Sequence, residues 1–351
     1  MSNALGTLIL ALSLSVAACQ KSAGRDLPPC KPAAAPKTSF GFFLFGDAHF
    51  GPPANNASNQ RAMAQMRLID PDAIAAFSNG DLVDSDSETQ WSTHDAGLAA
   101  GSFSTSGVCP ENFALEANYF GALGDHDVFN GHWLDLWNQH FPLQRELGAD
   151  SEDGVYYSLG YGNTLFVLLD SEHVSSDKTS FGDEQSRWLE SVLASSNAAL
   201  KFVFFHQAAY SCSGHHSPFA AALPWVALAE QHEVSLVVGS HTHVYSRSCP
   251  RLGGACTEDG SGVVFLETGP LGGVPRDIDV TRATVTGTDA LGTARSDSYD
   301  CVVGQGLAAA RGALNDFCHV RVDGCTATVN CYLVGEGNST PFDTWTLSGC
   351  E

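Results

Sequence analysis

A chain of 351 residues, 44% hydrophobic and only 16% charged, has the composition of a folded protein with a sizeable core, neither disordered nor fibrous. Its formal net charge of −22 argues against nucleic acid as a partner and against docking onto anionic lipid by charge.

The predicted elements begin with residues 5–18, an apolar stretch too short to span a bilayer comfortably and ending in small residues, the anatomy of an export signal. Val16-Ala17-Ala18-Cys19 resembles the lipobox of bacterial lipoproteins, which implies a signal peptide over 1–18 and a lipidated Cys19 as the first mature residue. Met1 to Gly6 departs from the usual pattern in carrying no Lys or Arg. The resemblance implies an exported protein, anchored by Cys19 at the periplasmic face or the cell surface, with no transmembrane helix in the mature chain. Residues 19–39, rich in Lys, Pro and Ala, read as a flexible tether, and 40–351 as one domain with a disulfide-tied carboxyl-terminal region. Setting Cys19 aside leaves an even number of the 11 cysteines and no Cys-x-x-Cys pair, which in an exported chain reads as disulfides rather than a thiolate zinc site. Cys249 with Cys256, and Cys325 with Cys331, are the local candidates for short rings.

Beyond the tether, strand and helix patterns alternate. The run 40–45 is almost wholly apolar, as in a strand buried on both faces, and 59–69 has helical composition up to Pro71. Further strand-like runs occupy 73–78, 118–123, 164–169, 202–205, 235–238 and 263–266, with an amphipathic helix at 183–193. Residues 268–316, rich in Gly, Ala and Asp, read as a long loop region; strands at 318–322, 326–333 and 345–347 follow. Trp91, Trp133, Trp137 and Trp225 read as core or helix-packing residues.

Five apolar runs end in Asp and His. The clusters are Asp47-Ala48-His49, Gly80-Asp81-Leu82-Val83-Asp84, Gly124-Asp125-His126-Asp127, His206, and Gly239-Ser240-His241-Thr242-His243. Carboxylates and imidazoles at strand ends are the donors that a pair of divalent metals needs, and two adjacent metals suit phosphate-ester hydrolysis. One such cluster is weak evidence. Five in a fixed order are not, because independent accidents multiply.

That order resembles the calcineurin-like metallophosphoesterase superfamily, whose pattern is D-x-H, G-D-x-x-D, G-N-H-D/E, H and G-H-x-H. The likeness runs from about residue 40 to at least 247. His243-Val244-Tyr245-Ser246-Arg247 is similar to the ending of purple-acid-phosphatase-like members. The resemblance implies an α/β (α+β) fold, a four-layer αββα sandwich of two mixed sheets flanked by helices. It also implies two metal ions (iron, manganese or zinc) and a small phosphorylated substrate. Asp47, His49 and His243 would hold one ion, His206, His241 and Asp125 the other, and Asp81 would bridge both. His126 would act as general acid at the leaving group, oriented by Asp127.

Three positions depart from the family pattern. Asp125 replaces Asn, adding a negative charge and losing an amide donor. Ser240 separates Gly239 from His241, and Asp84 stands where the purple subgroup has its Tyr, which disfavours an iron–tyrosinate site. His215-His216 read as exposed loop residues first and as substrate-mouth residues second. The implied function is an exported acid-phosphatase-like phosphomonoesterase. A phosphodiesterase on the same centre, or a catalytically weak surface binding protein of the same fold, are the alternatives.

Overall fold

Every second side chain of the first strand faces a different core. Phe40, Phe42 and Leu44 pack into a cluster shared by two sheets, while Phe43 and Phe45 point the other way, towards helices. This computed structural model describes residues 37–103, 105, 118–142, 154–173, 183–278, 280–289, 292–335, 337 and 339–349. The signal segment, Cys19, most of the tether, Cys30, Cys109 and Cys350 lie outside the described residues.

In chain order the first half holds β1 (Ser39–Phe45), α1 (Pro53–Ile69), β2 (Ala75–Ser78), α2 (Glu88–Ala100), β3 (Tyr119–Gly121), α3 (Trp133–His140), β4 (Tyr157–Tyr161) and β5 (Thr164–Leu168). Next come α4 (Asp183–Ser195), β6 (Leu200–Gln207), α5 (Leu223–Gln231), β7 (Leu236–Ser240), β8 (Tyr245–Ser248), β9 (Arg251–Leu252), β10 (Ala255–Cys256) and β11 (Val264–Glu267). The last strands are β12 (Arg282–Thr288), β13 (Ala294–Asp300), β14 (Leu307–Arg311), β15 (Asp316–Asp323), β16 (Thr326–Leu333) and β17 (Asp343–Ser348).

Two mixed sheets form the centre, in the orders β17-β16-β15-β1-β2-β3 and β14-β8-β11-β7-β6-β5-β4. Within them β1, β2 and β3 run parallel, as do β5, β6, β7 and β11. Phe42, Phe77, Phe166, Phe202 and Phe204 fill the space between the sheets, Phe42 meeting Phe77, Phe166 and Phe202 edge-on at 5.1 to 5.6 Å. Full burial of each such ring contributes about 2 kcal/mol. One outer face packs on α1, α2 and α3 through Met63, Met66, Trp91 and Trp137. The other packs on α4 and α5 through Leu189, Leu193, Trp225 and Leu228. These three cores make the four-layer αββα sandwich expected from the resemblance.

The helix expected from residue 59 starts earlier, at Pro53, whose fixed φ suits the first turn, and it stops before Pro71. The region 268–316 is not simply a loop. It holds the antiparallel ribbon β12–β13 and the edge strand β14, which pairs with β8. The ribbon escapes a hydrophobicity reading because it is mostly solvated: Thr284 faces Ser298 and Thr286 faces Ser296 through hydroxyl pairs, and Val285 alone in β12 is buried.

Of the two local cysteine candidates, Cys249–Cys256 forms. Cys331 instead pairs with Cys318, its partner across the β15–β16 ladder, while Cys325, itself disulfide-bonded, sits in the turn. A strand register, which spacing does not reveal, decided that pairing. Cys212 and Cys301 close the third disulfide among the described residues.

Candidate metal centre

The parallel strands deliver their carboxyl ends to one edge of the sandwich. Asp47 follows β1, Asp81 follows β2, Asp125 follows β3, His206 lies near the end of β6 and His241 follows β7. The turns there are tight and interlocked: the Asp47 N–H donates to the Gly80 carbonyl (3.0 Å) and the His49 N–H to the Asp81 carbonyl (2.9 Å). Asp47, His49, Asp81, His241 and His243 all adopt positive φ, between 45° and 73°. Left-handed backbone costs energy for side chains other than glycine, so its concentration here marks a site that the surrounding structure holds in place. Gly80 has a φ of 105°, and a Cβ there would come within 2.7 Å of His206 Nδ1. At Gly124 a Cβ would fall on the Asp81 backbone nitrogen. The glycines of both Gly-Asp motifs are therefore needed for close approach.

Two groups of donors share one carboxylate. Asp47, His49, Asp81 and His243 form the first and Asp81, Asp125, His206 and His241 the second, with one donor atom of each residue within 4.8 Å of the others. Asp81 turns Oδ2 towards His49 Nε2 (3.3 Å) and Oδ1 towards His206 Nε2 (3.4 Å). His49 Nε2 lies 3.2 Å from His243 Nε2, and His241 Nδ1 lies 3.2 Å from His206 Nε2 and 3.0 Å from Asp125 Oδ1. Asp125 Oδ1 is 3.1 Å from His206 Nε2, and Asp47 Oδ1 sits farther out, 3.9 Å from His243 Nε2. Metal bonds of about 2.1 Å set neighbouring donors about 3.0 to 3.4 Å apart, along the edges of a tetrahedron or octahedron.

Tautomers point the same way. The ring N–H at His206 Nδ1 donates to the Asn79 carbonyl (3.0 Å) and that at His243 Nδ1 to the Val274 carbonyl (2.6 Å). A carbonyl only accepts, so each neutral ring turns an Nε2 lone pair inward, the arrangement by which outer partners orient metal-binding imidazoles. The carboxylates draw positive charge to the site: burial pushes the His206 pKa down, but Asp81, Asp125 and Asp47 drive it well above its ordinary value. Asp81 is likewise driven up by burial, yet His206 holds it at about 2. The donor set thus fits positive charge between the side chains.

His126 stands over the first group, its ring 4.5 Å from that of His49 and its backbone N–H donating to Asp81 Oδ1 (2.9 Å). Its Nδ1 donates to the Asp84 carbonyl (2.6 Å). The role expected of Asp127, orienting this imidazole, is therefore taken by the backbone of Asp84. The Asp127 carboxylate accepts N–H bonds from Leu82 (2.9 Å), Val83 (3.1 Å) and Gly124 (2.9 Å), clamping the two Gly-Asp turns together. Ser240 closes β7 with its hydroxyl 3.2 Å from His206 Nδ1, so the extra residue in the last motif lies against a candidate ligand.

The groups open into a cleft of about 120 Å³ lined by Asp81, Asp125, His126, His216, His241, Thr242, His243 and Arg276. A larger groove of about 850 Å³ runs along α1 beside Tyr332, away from every candidate ligand, so size does not identify the site. His216 is exposed, as expected first, and also reaches the mouth: its ring lies 4.2 Å from that of His241. Burial and the neighbouring His241 push its pKa down to about 4. Arg276 was not singled out by the sequence, because it stands alone in a Gly/Pro-rich stretch; the Gly272-Gly273 pair after β11 was the available signal.

The match to known proteins follows this geometry. The family model for calcineurin-like phosphoesterases matches residues 41–245. Uncharacterized proteins of Mycobacterium tuberculosis, from strains CDC 1551 and H37Rv, are each 28% identical over 180 residues, 47% of this chain; the chain spans only 33% of their length. Among solved structures, a purple acid phosphatase from yellow lupin seeds aligns at 17% identity and a TM-score of 0.58, over 92% of this chain and 55% of its own. PhoD aligns at 12% and 0.57, over 92% and 72%. GAP50, the anchor in the inner membrane complex of Plasmodium, aligns at 14% and 0.56, over 90% of both chains. These structures share the fold, and the family match, which spans all five clusters, places the chain in the calcineurin-like phosphoesterase family.

Proposed function

We propose that the chain is an exported phosphomonoesterase with a binuclear metal centre. The observation that carries the reading is the pair of four-residue groups joined through the two oxygens of Asp81. Asp47, His49 and His243 would hold one ion and Asp125, His206 and His241 the other, with Asp81 available to both. The imidazole and carboxylate set suits iron, manganese or zinc. Bound there, such ions neutralise phosphoryl oxygens and lower the pKa of water, the chemistry that hydrolysis of a phosphate ester needs.

The chain's own groups supply the rest. His126, with Nδ1 fixed on a carbonyl, presents Nε2 to the cleft and gives up a proton to the departing oxygen, returning to the neutral tautomer its backbone partner already favours. The small cleft favours an ester with one organic arm. GAP50 shares the fold and is described as an anchor, so the fold alone does not argue for catalysis; the complete donor groups do.

Export rests on Cys212–Cys301, Cys249–Cys256 and Cys318–Cys331, bonds that persist in oxidising compartments. Anchoring through Cys19 rests on the lipobox resemblance, and Cys19→Ser should release the protein from the membrane fraction. The deciding experiment loads the purified protein with manganese, zinc or iron, counts metal per chain, and compares an aryl phosphomonoester with the corresponding diester. Two ions and faster monoester turnover are expected. Faster diester turnover would favour the diesterase, and bound metal without turnover a binding protein.

A further inference from the structure

Arg276 lies between β11 and β12, on a segment pinned from three sides. Its N–H donates to the His243 carbonyl (2.8 Å), and its carbonyl accepts from the Ala313 N–H (2.6 Å). Two residues on, Ile278 pairs with Ser213 in an antiparallel bridge, and Ser213 adjoins Cys212 of the Cys212–Cys301 disulfide, just before His215 and His216. The residue is thus tied to the last cluster, to the exit of β14 and to the segment that carries the cleft mouth.

Its charge is available: no carboxylate forms an ion pair with Arg276 among the described residues, whereas Arg247 and Arg295 are held by Asp343 and by Glu230 and Asp297. Several other described arginines also lack a carboxylate partner, so its place in the cleft is what sets it apart. Among the residues lining the cleft it is also the one fixed cation, since the others are Asp, His and Thr.

Charge at the centre explains why such a group is needed. With two divalent ions bound, the carboxylates of Asp47, Asp81 and Asp125 would offset three of their four positive charges. Where the family pattern has a neutral Asn, Asp125 removes one more positive charge than usual. A phosphomonoester approaches with a charge of about −1.5 to −2 near neutrality, and a diester with about −1. A guanidinium fork can meet two phosphoryl oxygens at once, and the monoester offers one more non-bridging oxygen than the diester.

We propose that Arg276 is a substrate-binding residue that clamps the non-bridging oxygens of a phosphomonoester, offsets the charge of Asp125 and selects monoesters over diesters. The proposal rests on the binuclear phosphoesterase reading and goes beyond it by naming what sets the ester class.

The test uses the manganese-loaded full chain. Arg276→Gln is expected to raise the KM for an aryl phosphomonoester and the dissociation constant of inorganic phosphate about tenfold, with kcat changed less than about twofold, as the loss of one charge-assisted contact predicts. The KM for the aryl diester should rise less than about twofold, and Arg276→Lys should recover part of the monoester loss. Adding Asp125→Asn to Arg276→Gln should restore phosphate binding if the two charges offset one another. Equal effects on monoester and diester, or an unchanged phosphate dissociation constant by calorimetry, would overturn the clamp. A wild-type protein that hydrolyses neither ester would instead sink the enzymatic reading, while phosphate calorimetry would still decide whether Arg276 holds the anion.

Discussion

Two clusters of His and Asp among the described residues are built in opposite senses. At the sheet edge, His206 and His243 spend their outer nitrogens on carbonyls and turn lone pairs inward, towards Asp81, Asp47 and each other's groups. Beneath α2 and α3, His94 and His140 both point Nδ1 at one carboxylate, that of Asp95, at 3.1 and 2.8 Å. The second cluster converges on one carboxylate through Nδ1, and its two Nε2 atoms face packed rings instead of further donors or acceptors. His140 stacks on Trp91 at 5.3 Å, and His94 meets Phe50 and Tyr119 edge-on. Positive φ separates the two as well, since neither His94 nor Asp95 nor His140 adopts it while five candidate ligands do. Residue type alone does not make a metal centre; converging lone pairs on strained backbone do.

The largest effect should come from Asp81, the one carboxylate shared by both groups. Asp81→Ala is expected to lose both ions by elemental analysis and at least about 10³-fold in turnover, because neither group keeps its bridging oxygen. A variant that keeps two ions and near-normal turnover would break the assignment. Next is His126→Ala, which should leave the metal count unchanged and lower kcat about 10²-fold, the usual scale for a lost proton donor. An equal loss of metal would make the His126 ring a structural support of the centre rather than a proton donor.

The second cluster should fail differently. His94→Ala is expected to cost about 3 kcal/mol of stability by denaturant unfolding, from the cavity and the lost bond to Asp95, with metal content and kcat retained. Its pH dependence follows from direction. Burial pushes the Asp95 carboxyl up, but hydrogen bonds from His140 and His94 outweigh this and hold it at about 2. That contribution is present above about 4, the unfolded value, and is lost as pH falls through about 2. Solvent screens it, because the Asp95 side chain is 42% exposed. His94 is held below its ordinary value by burial, so the unfolded chain takes up a proton first as pH drops below about 6.5. Both terms weaken the fold in acid, and His94→Ala should flatten the decline between pH 7 and 4. An unchanged slope would show that this cluster does not carry it.

What the sequence made legible was the strand-end grammar. Runs buried on both faces are apolar without interruption, and the residue that ends each one is set apart by chemistry, so Asp47, Asp81, Asp125, His206 and His241 stood out without coordinates. The contacts that depend on register or on backbone groups stayed hidden. Cys318 faces Cys331 because β15 and β16 pair antiparallel, and spacing does not give that alignment. The family resemblance implied Asp127 as the partner that orients His126, yet a 3-10 turn over Asp125–Val128 leaves its carboxylate on backbone N–H groups. Carbonyl partners such as Asp84 and Asn79 have no residue signature at all.

The smallest predicted effect bears on the one ligand position that departs from the family pattern. Burial pushes the Asp125 carboxyl up, but hydrogen bonds from His206 and His241 outweigh this and leave its pKa well below the usual carboxylate range. It is therefore a full charge throughout the assay range, at the edge of an anion-binding cleft. Asp125→Asn keeps an oxygen for the second group, removes that charge and adds an amide donor. It should lower the KM for an aryl phosphomonoester about threefold, roughly 0.6 kcal/mol, while weakening retention of the second ion against a chelator. A KM that rises instead would mean that the carboxylate holds the second ion in place more than it repels substrate, and the shared-charge account of Asp125 and Arg276 would fall with it.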